Sequence, residues 1–259
     1  MCKHKQNLKK TFMKKIFNIA LFIVMASIAT AQDCKLLTIW EHEETGDTIS
    51  YDTFVYEESG KLKSWLEESD FIDVLYKVYY DGDGRISRYT DEQAGGEAAV
   101  YTHFMNFENG KLVETVDLDD MMVKLSLTTY TYNEKGLLVS SSLFEVGYEE
   151  QTEMVKTLYS YDDKGNAVET VRDEMVQPPY ISTIAYDDKL EPYYYIGRPE
   201  TFNKHNILRV EVNQEGKLVD DYSYTCDIEY NEKQLPVRIT TRTLDGYIIS
   251  IKELVYSCK

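Results

Sequence analysis

The residues able to do chemistry are few, and their spacing argues against catalysis. Beyond residue 31 the histidines are His42, His103 and His205, too far apart for a metal spacing such as HxxxH. The chain contains no GxSxG, no HExxH and no glycine-rich phosphate loop. "DGDG", residues 81–84, opens like a calcium loop and Glu92 stands at its twelfth position. Arg85 and Ile86, however, occupy the fifth and sixth places, where a ligand and a glycine belong, so the stretch reads as a turn. No metal and no cofactor is expected. Adjacent acids such as Asp119 and Asp120, or Asp162 and Asp163, carry no weight as a glycosidase pair in a chain with 45 acidic residues. Cys226 lies on an apolar strand face and is expected to be an inert thiol.

The stretch with binding chemistry is "PYYYIGRP", residues 192–199. Tyr193, Tyr194 and Tyr195 read as a strand with rings on both faces, and Arg198 follows. Exposed tyrosine beside arginine suits stacking on sugars or peptides. The competing reading, preferred here, has this segment packed over an open end of the sheet as a plug. Trp40 and Trp65 are expected in the core.

The elements that must position these residues start after a leader. Lys9, Lys10, Lys14 and Lys15 precede an apolar run over residues 16–28, and Ala29 and Ala31 are the small residues of a cleavage site. Residues 1–31 therefore read as a signal peptide with Met13 as the biological start, and the run is too short to span a bilayer as a helix. Gln32 and Asp33 stand where a lipobox needs small residues before Cys34, so soluble export is preferred over lipid anchoring. Removing the leader takes six lysines and no acid, which leaves 22 basic and 45 acidic residues, a net charge of −23. Such a chain repels nucleic acid and anionic membrane surfaces.

A unit recurs through residues 32–259: aromatic, Asp/Asn/Glu, two polar residues, Gly, basic, aliphatic. It appears as "YEESGKL" (56–62), "YDGDGRI" (80–86), "FENGKL" (107–112), "YNEKGLL" (132–138) and "YDDKGNA" (161–167). "YDDKL" (186–190) and "YNEKQL" (230–235) lose the glycine, and "VNQEGKL" (212–218) loses the aromatic. The first five glycines are 24, 26, 26 and 29 residues apart, the mark of a repeated supersecondary unit. Asp or Asn opens a turn by bonding the backbone ahead of it. Glycine closes it in the left-handed conformation, and the Tyr-, Val- and Thr-rich flanks suit strands. Alternation supports this: Tyr222, Tyr224, Cys226, Ile228 and Tyr230 form one face, and Asp221, Ser223, Thr225, Asp227 and Glu229 the other. Gly46, Gly95, Gly96 and Gly246 mark the second set of turns. Residues 62–71 are ambiguous between helix and strand. Residues 123–132 carry apolar residues on both faces and are expected to be buried on both.

The predicted fold is a single all-β domain, an antiparallel meander of about 16–18 strands made of repeated hairpins, curled or closed as a flattened barrel. In such a meander with an even number of strands, the first strand begins and the last ends at the same rim. Cys34 precedes the first strand and Cys258 follows the last, so a Cys34–Cys258 disulfide is expected, with Cys226 a buried free thiol.

These units resemble the YD repeat of Rhs-type proteins, which wind into large β shells, although this chain is too small to form one. The tail, "PYYYIGRPETFNKHNIL" (192–208) with "YSYTCDIEYNEKQLPVRITTR" (222–242), resembles an uncharacterised family of secreted bacterial domains with a porin-like β fold. The resemblance implies a β architecture and brings no catalytic residues. A membrane porin itself is disfavoured, because Lys77, Lys124, Lys156 and Glu211 interrupt the strands.

The expected function is an exported, monomeric binding or scaffold protein of the cell envelope, periplasmic or extracellular. It would take a glycan or another envelope protein as partner and have no enzymatic activity. The alternative is a hydrolase, carbohydrate-active or other, with a carboxylate site assembled across the sheet. N-terminal sequencing of exported material should return Gln32; a start before Asn18 would refute the leader assignment.

Overall fold

The computed structural model describes residues 34–94, 100–147, 150–195 and 203–258. The expected leader, the Gly95–Gly96 turn and Arg198 lie outside these residues, and only the backbone of Tyr194 and Tyr195 is described. The first eight strands are β1 (Cys34–His42), β2 (Thr48–Tyr56), β3 (Leu62–Ser69), β4 (Asp73–Tyr80), β5 (Ile86–Ala94), β6 (Val100–Glu108), β7 (Lys111–Leu118) and β8 (Lys124–Tyr132). Five follow: β9 (Leu138–Val146), β10 (Gln151–Tyr161), β11 (Ala167–Asp173), β12 (Tyr180–Leu190) and β13 (His205–Gln214). The last are β14 (Lys217–Leu218), β15 (Tyr224–Tyr230), β16 (Pro236–Thr243) and β17 (Ile248–Cys258).

Every neighbouring pair is antiparallel, and β17 returns to β1 in register from Cys34 opposite Cys258 to His42 opposite Ile251. The sheet is therefore a closed barrel. β13 pairs with both β15 and the two-residue β14, so sixteen strands make the wall and β14 is a side branch. Closure leaves neither β1 nor β17 as an open edge. Cys34 and Cys258 are disulfide-bonded, 224 residues apart in sequence, at the rim that carries the repeated turns. Their bridge occupies the place where one more hairpin turn would join β17 to β1.

The turns follow one chemical pattern. Asp81 Oδ1 accepts from the backbone N–H groups of Asp83 and Arg85, both at 2.9 Å. Asn133, Asp162 and Asn231 do the same for the second and fourth residues ahead of them. Gly84 then closes its turn at φ +81. In the turn of residues 231–235, Gln234 takes that conformation at φ +61 in place of glycine.

The units are also clasped to one another. In four of them the tyrosine hydroxyl reaches a carbonyl of the neighbouring strand: Tyr56 donates to Leu36 (2.8 Å), Tyr80 to Leu62 (2.7 Å), Tyr132 to Leu112 (2.8 Å) and Tyr186 to Ala167 (2.9 Å). The basic residue beside that aliphatic position lies over the same ring. Lys35 sits over Tyr56, Lys61 over Tyr80, Arg85 over Phe107 and Lys111 over Tyr132, 4.6–5.2 Å from the centroids. A Cβ at Gly84 would meet Lys61 Nζ at 2.8 Å, the end of a flexible side chain that can move aside, so it is the left-handed turn at φ +81 that calls for the glycine.

Inward positions of β1–β7 and β17 form the core around Leu36, Phe54, Leu62, Trp65, Met105 and Leu254. Trp65 stacks on Tyr76 at 4.2 Å, and Tyr89 stacks on His103 at 4.3 Å. Outward positions carry cross-strand ion pairs: Lys77–Glu92 (2.6 Å), Arg238–Glu253 (3.1 Å) and Arg242–Asp227 (3.0 Å).

Several expectations change. Residues 62–69 are strand, resolving the helix alternative. Trp40 faces outward, lies with its ring 4.2 Å from that of His42 and tilted by 30°, and donates to Thr48 Oγ1, because a bulge between Leu36 and Thr38 turns Ile39 inward. The Gly216 turn lies at the opposite rim from the other units, since it ends β13 rather than a tyrosine strand. On β8, Leu127 is buried between Val116 and Phe144, whereas Leu125, and Val123 just before the strand, are exposed.

The clasp yields a paired test. Tyr80→Phe should lower the thermal midpoint, with a loss of about 1 kcal/mol for the hydroxyl–carbonyl bond. Phe107→Tyr, which places a hydroxyl opposite Ile86 as in the other units, should hold or raise it. An unchanged midpoint for Tyr80→Phe would remove the clasp from the account of stability.

Candidate functional site

One unit departs from the others, and the departure makes the site. In the regular unit, Asp162 Oδ1 accepts from Lys164 N and Asn166 N, and Asn166 Nδ2 donates to Asp162 Oδ2 at 3.0 Å. Asp187 opens the next unit at this rim in the same way, accepting from Lys189 N at 2.9 Å. Its second backbone donor is Asn206 N, at 3.2 Å, and Asn206 Nδ2 donates to Asp187 Oδ2 at 3.1 Å. Asn206 thus stands where Asn166 stands, and Ile207 opposes Tyr186 as Ala167 opposes Tyr161. The sequence "YDDKGNA" has become "YDDK", an insertion over residues 190–205, and "NI". The side-chain bonds of the turn are kept at Asp187, and sixteen residues stand in the sequence where its glycine would be.

That insertion carries the tyrosines. Residues Pro192–Tyr195 form a short helical turn rather than the expected strand. Pro192 is buried and Tyr193 packs against the core cluster. Both line a cavity of about 560 Å³ inside the barrel, bounded by β1, β13, β15, β16 and β17. Its wall is chiefly apolar, with Ile39, Ile207, Ile228, Ile239 and Leu254. Polar groups enter at a few points: Asn206, Thr241, Cys226, Glu191, Asp221 and the Glu41–Lys252 ion pair at 3.3 Å. Cys226 is half-buried, and burial pushes its thiol above the ordinary range, which keeps it protonated and a poor nucleophile. Burial also raises Tyr230, helped by the Asp187 carboxylate to which its hydroxyl donates.

A second inward cluster lies across β5–β8. His103 Nδ1 is 2.7 Å from Asp117 Oδ1, and His103 Nε2 is 3.3 Å from Asp91 Oδ2. Ser126 donates to the other Asp117 oxygen. These are the residue types of a hydrolytic triad in the wrong order: the serine bonds the carboxylate, not the imidazole, so nothing takes its proton. Burial opposes charge on His103, but the two carboxylates outweigh it and its pKa is raised; that of Asp117 is lowered against burial by His103 and Ser126. Among the described residues no group of three or more His, Cys, Asp or Glu could hold a metal ion.

Sequence reasoning singled out Tyr193 and missed Asn206, Asp187, Glu41 and Lys252. The Asp187–Asn206 pair was legible in principle, by aligning "YDDK" and "NI" with "YDDKGNA" across the insertion. The Glu41–Lys252 pair was not, since only barrel closure sets β1 beside β17.

No protein-family model matches the chain, and no curated protein matches it. Among solved structures it is similar to a porin-like protein from Bacteroides uniformis ATCC 8492, with TM-score 0.57 and 12% identity over 86% of this chain and 97% of that one. It is also similar to a porin-like protein from Bacteroides vulgatus ATCC 8482, with TM-score 0.54 and 13% identity over 86% and 98%. At this identity the likeness is one of fold, an antiparallel β-barrel.

The His103 cluster has a definite pH signature. A histidine with a raised pKa stabilises the fold fully below its ordinary value of 6.5, and that contribution is lost as pH rises through the raised value. The lowered Asp117 contributes above its ordinary 3.8 and is lost as pH falls through its depressed value. The gap in thermal midpoint between the native chain and His103→Gln should therefore be widest between about pH 4 and 6.5 and narrow above it. A gap that is flat with pH would show that His103 is not held charged.

Proposed function

We propose that the chain is an exported binding protein of the cell envelope, built of YD-repeat-like hairpins, with no catalysis of its own. Its site is the barrel cavity beneath the 192–195 turn, which takes a small molecule or the end of a larger chain such as a glycan. The observation that carries this reading is the cavity itself. One side of the barrel interior is packed with Trp65, Phe54, Met105 and their neighbours, while the other side stays open under a segment inserted into a repeat. About 560 Å³ is the size of a ligand site, and a mostly apolar wall with a few placed polar groups is its usual composition.

Export rests on the leader pattern of residues 1–31 and on Cys34–Cys258, a bond suited to an oxidising compartment. Among the described residues no helix is long and apolar enough to cross a membrane. The outward ion pairs Lys77–Glu92, Arg238–Glu253 and Arg242–Asp227 support a wall that faces water, since a lipid-facing charge near the bilayer centre costs about 2–4 kcal/mol. A periplasmic or extracellular monomer fits both points.

The order of bonds at His103 weighs against a serine hydrolase at that cluster, and the carboxylate alternative falls to Glu41, Glu191 and Asp221 of the cavity wall. Immobilised protein covering residues 32–259 should retain a glycan or other envelope component from an envelope extract and return it chemically unchanged. The Tyr193/Tyr194/Tyr195→Ala variant should retain less. Equal capture by both would remove the tyrosine segment from the site, and cleavage of the retained material would establish the hydrolase instead.

A further inference from the structure

The two rims of the barrel differ in chemistry. The repeated turns end in polar residues, with Ser59, Asp83, Glu134, Asp163 and Glu232 at their tips. Successive turns of a meander alternate ends, so the turns β3–β4, β7–β8, β11–β12, β13–β15 and β16–β17 all lie at the other rim. There the tips are apolar. Phe71 is 96% exposed, Val176 91%, Met121 77% and Tyr247 73%, and Met122, Met175 and Tyr222 join them. No other large apolar side chain among the described residues is more than 53% exposed. Ile49, Leu125 and Ile181, each the second residue of its strand from this rim, are exposed as well. The β1–β2 turn, with Glu44, Thr45 and Asp47, is a polar exception.

The fold does not ask for these side chains. Asp119 Oδ1 accepts from Met121 N at 3.0 Å and Val123 N at 2.7 Å, and Asp173 Oδ1 accepts from Met175 N at 3.1 Å. Aspartate therefore sets these turns, as it sets those of the other rim. Met122 and Met175 then take left-handed φ values of +63 and +58. Glycine costs least in that conformation, and Gly60, Gly136 and Gly165 adopt it in the repeated turns. In the β3–β4 turn, Ser69 Oγ donates to the Ile72 carbonyl at 2.7 Å and accepts from Ile72 N at 3.2 Å, which leaves Phe71 at the apex. Long apolar side chains held in strained turns and turned to water point to a partner outside the chain.

The spacing of the tips selects the partner. They stand on separate turns around the rim, and within two residues of each is a carboxylate: Asp70, Asp120, Glu174, Asp221 or Asp245. A folded protein would need a pocket for every tip, spread across the end of the barrel. A bilayer takes each side chain separately, at the boundary between headgroups and acyl chains. Carboxylates at that level are repelled by anionic lipid. They suit the ammonium group that lies outside the phosphate in a zwitterionic headgroup such as phosphatidylethanolamine.

We propose that this rim docks the barrel end-on against a bilayer of zwitterionic lipid. Phe71, Met121, Val176 and Tyr247 enter its headgroup region, and the repeated turns face away. Docking of this kind depends on the closed barrel and not on what the cavity binds.

Co-sedimentation with vesicles tests this on the disulfide-intact protein. Vesicles of phosphatidylethanolamine and phosphatidylcholine should retain it, and adding phosphatidylglycerol should weaken binding severalfold at low salt. Phe71→Ser should weaken binding to the zwitterionic vesicles roughly tenfold, and Glu134→Ser at the other rim should leave it unchanged. Met122→Gly should weaken binding while holding or raising the thermal midpoint, a pairing that a purely structural role would not produce. No binding to either kind of vesicle overturns the proposal. Binding that is unchanged in a folded Phe71→Ser/Met121→Ser/Val176→Ser variant overturns the rim as the docking surface. Equal or tighter binding to the vesicles with phosphatidylglycerol overturns the lipid class. Capture of an envelope protein that this triple variant loses, without vesicle binding by the native chain, assigns the rim to a protein partner instead.

Discussion

A sheet of this length has two edges unless its ends meet, and each edge is a row of unpaired backbone groups. Here β1 and β17 pair along the length of β1 through one bulge, and the Cys34–Cys258 bond closes the rim at which β1 begins and β17 ends. Closure dictates much else. It makes one face of every strand an interior, so alternation of apolar and polar residues becomes alternation of inside and outside. It also sets chain-distant groups side by side, as with Glu41 and Lys252.

Closure alone would leave register free to slip between hairpins, and the clasp between units opposes that. A tyrosine hydroxyl finds one carbonyl on the neighbouring strand while a lysine or arginine from the same turn covers its ring. A shift by one residue would break both contacts and expose the core face. The motif's basic and aliphatic positions, which look like ordinary turn flanks in one unit, are therefore the receptor for the aromatic of the next.

The interior is uneven, and function follows from that. Trp65, Tyr76, Tyr89 and His103 fill one side as a run of rings across β3–β6, ending at two carboxylates that favour the protonated imidazole. The opposite side keeps its cavity. The insertion at residues 190–205 roofs it at one point while Asp187 and Asn206 maintain the turn beneath, so the barrel gained a site without losing a hairpin. Placing the insertion at a glycine costs the fold little, because that position contributes conformation rather than contacts.

What the sequence by itself determined is everything local. The Asp/Asn–Gly turns, the all-β class, the alternating faces of residues such as Tyr224, Cys226 and Ile228, and the strand count followed from backbone preferences and from period-two patterning, which act over a few residues. Tertiary structure alone decided which side of the interior is packed and which is hollow, that Trp40 faces out through a one-residue bulge, that residues 192–195 form a helical turn, and that Glu41 pairs with Lys252. Each of these depends on groups far apart in the chain being brought together by barrel closure. Short-range propensity has no access to such pairings, because their free energy exists only once the walls are in place.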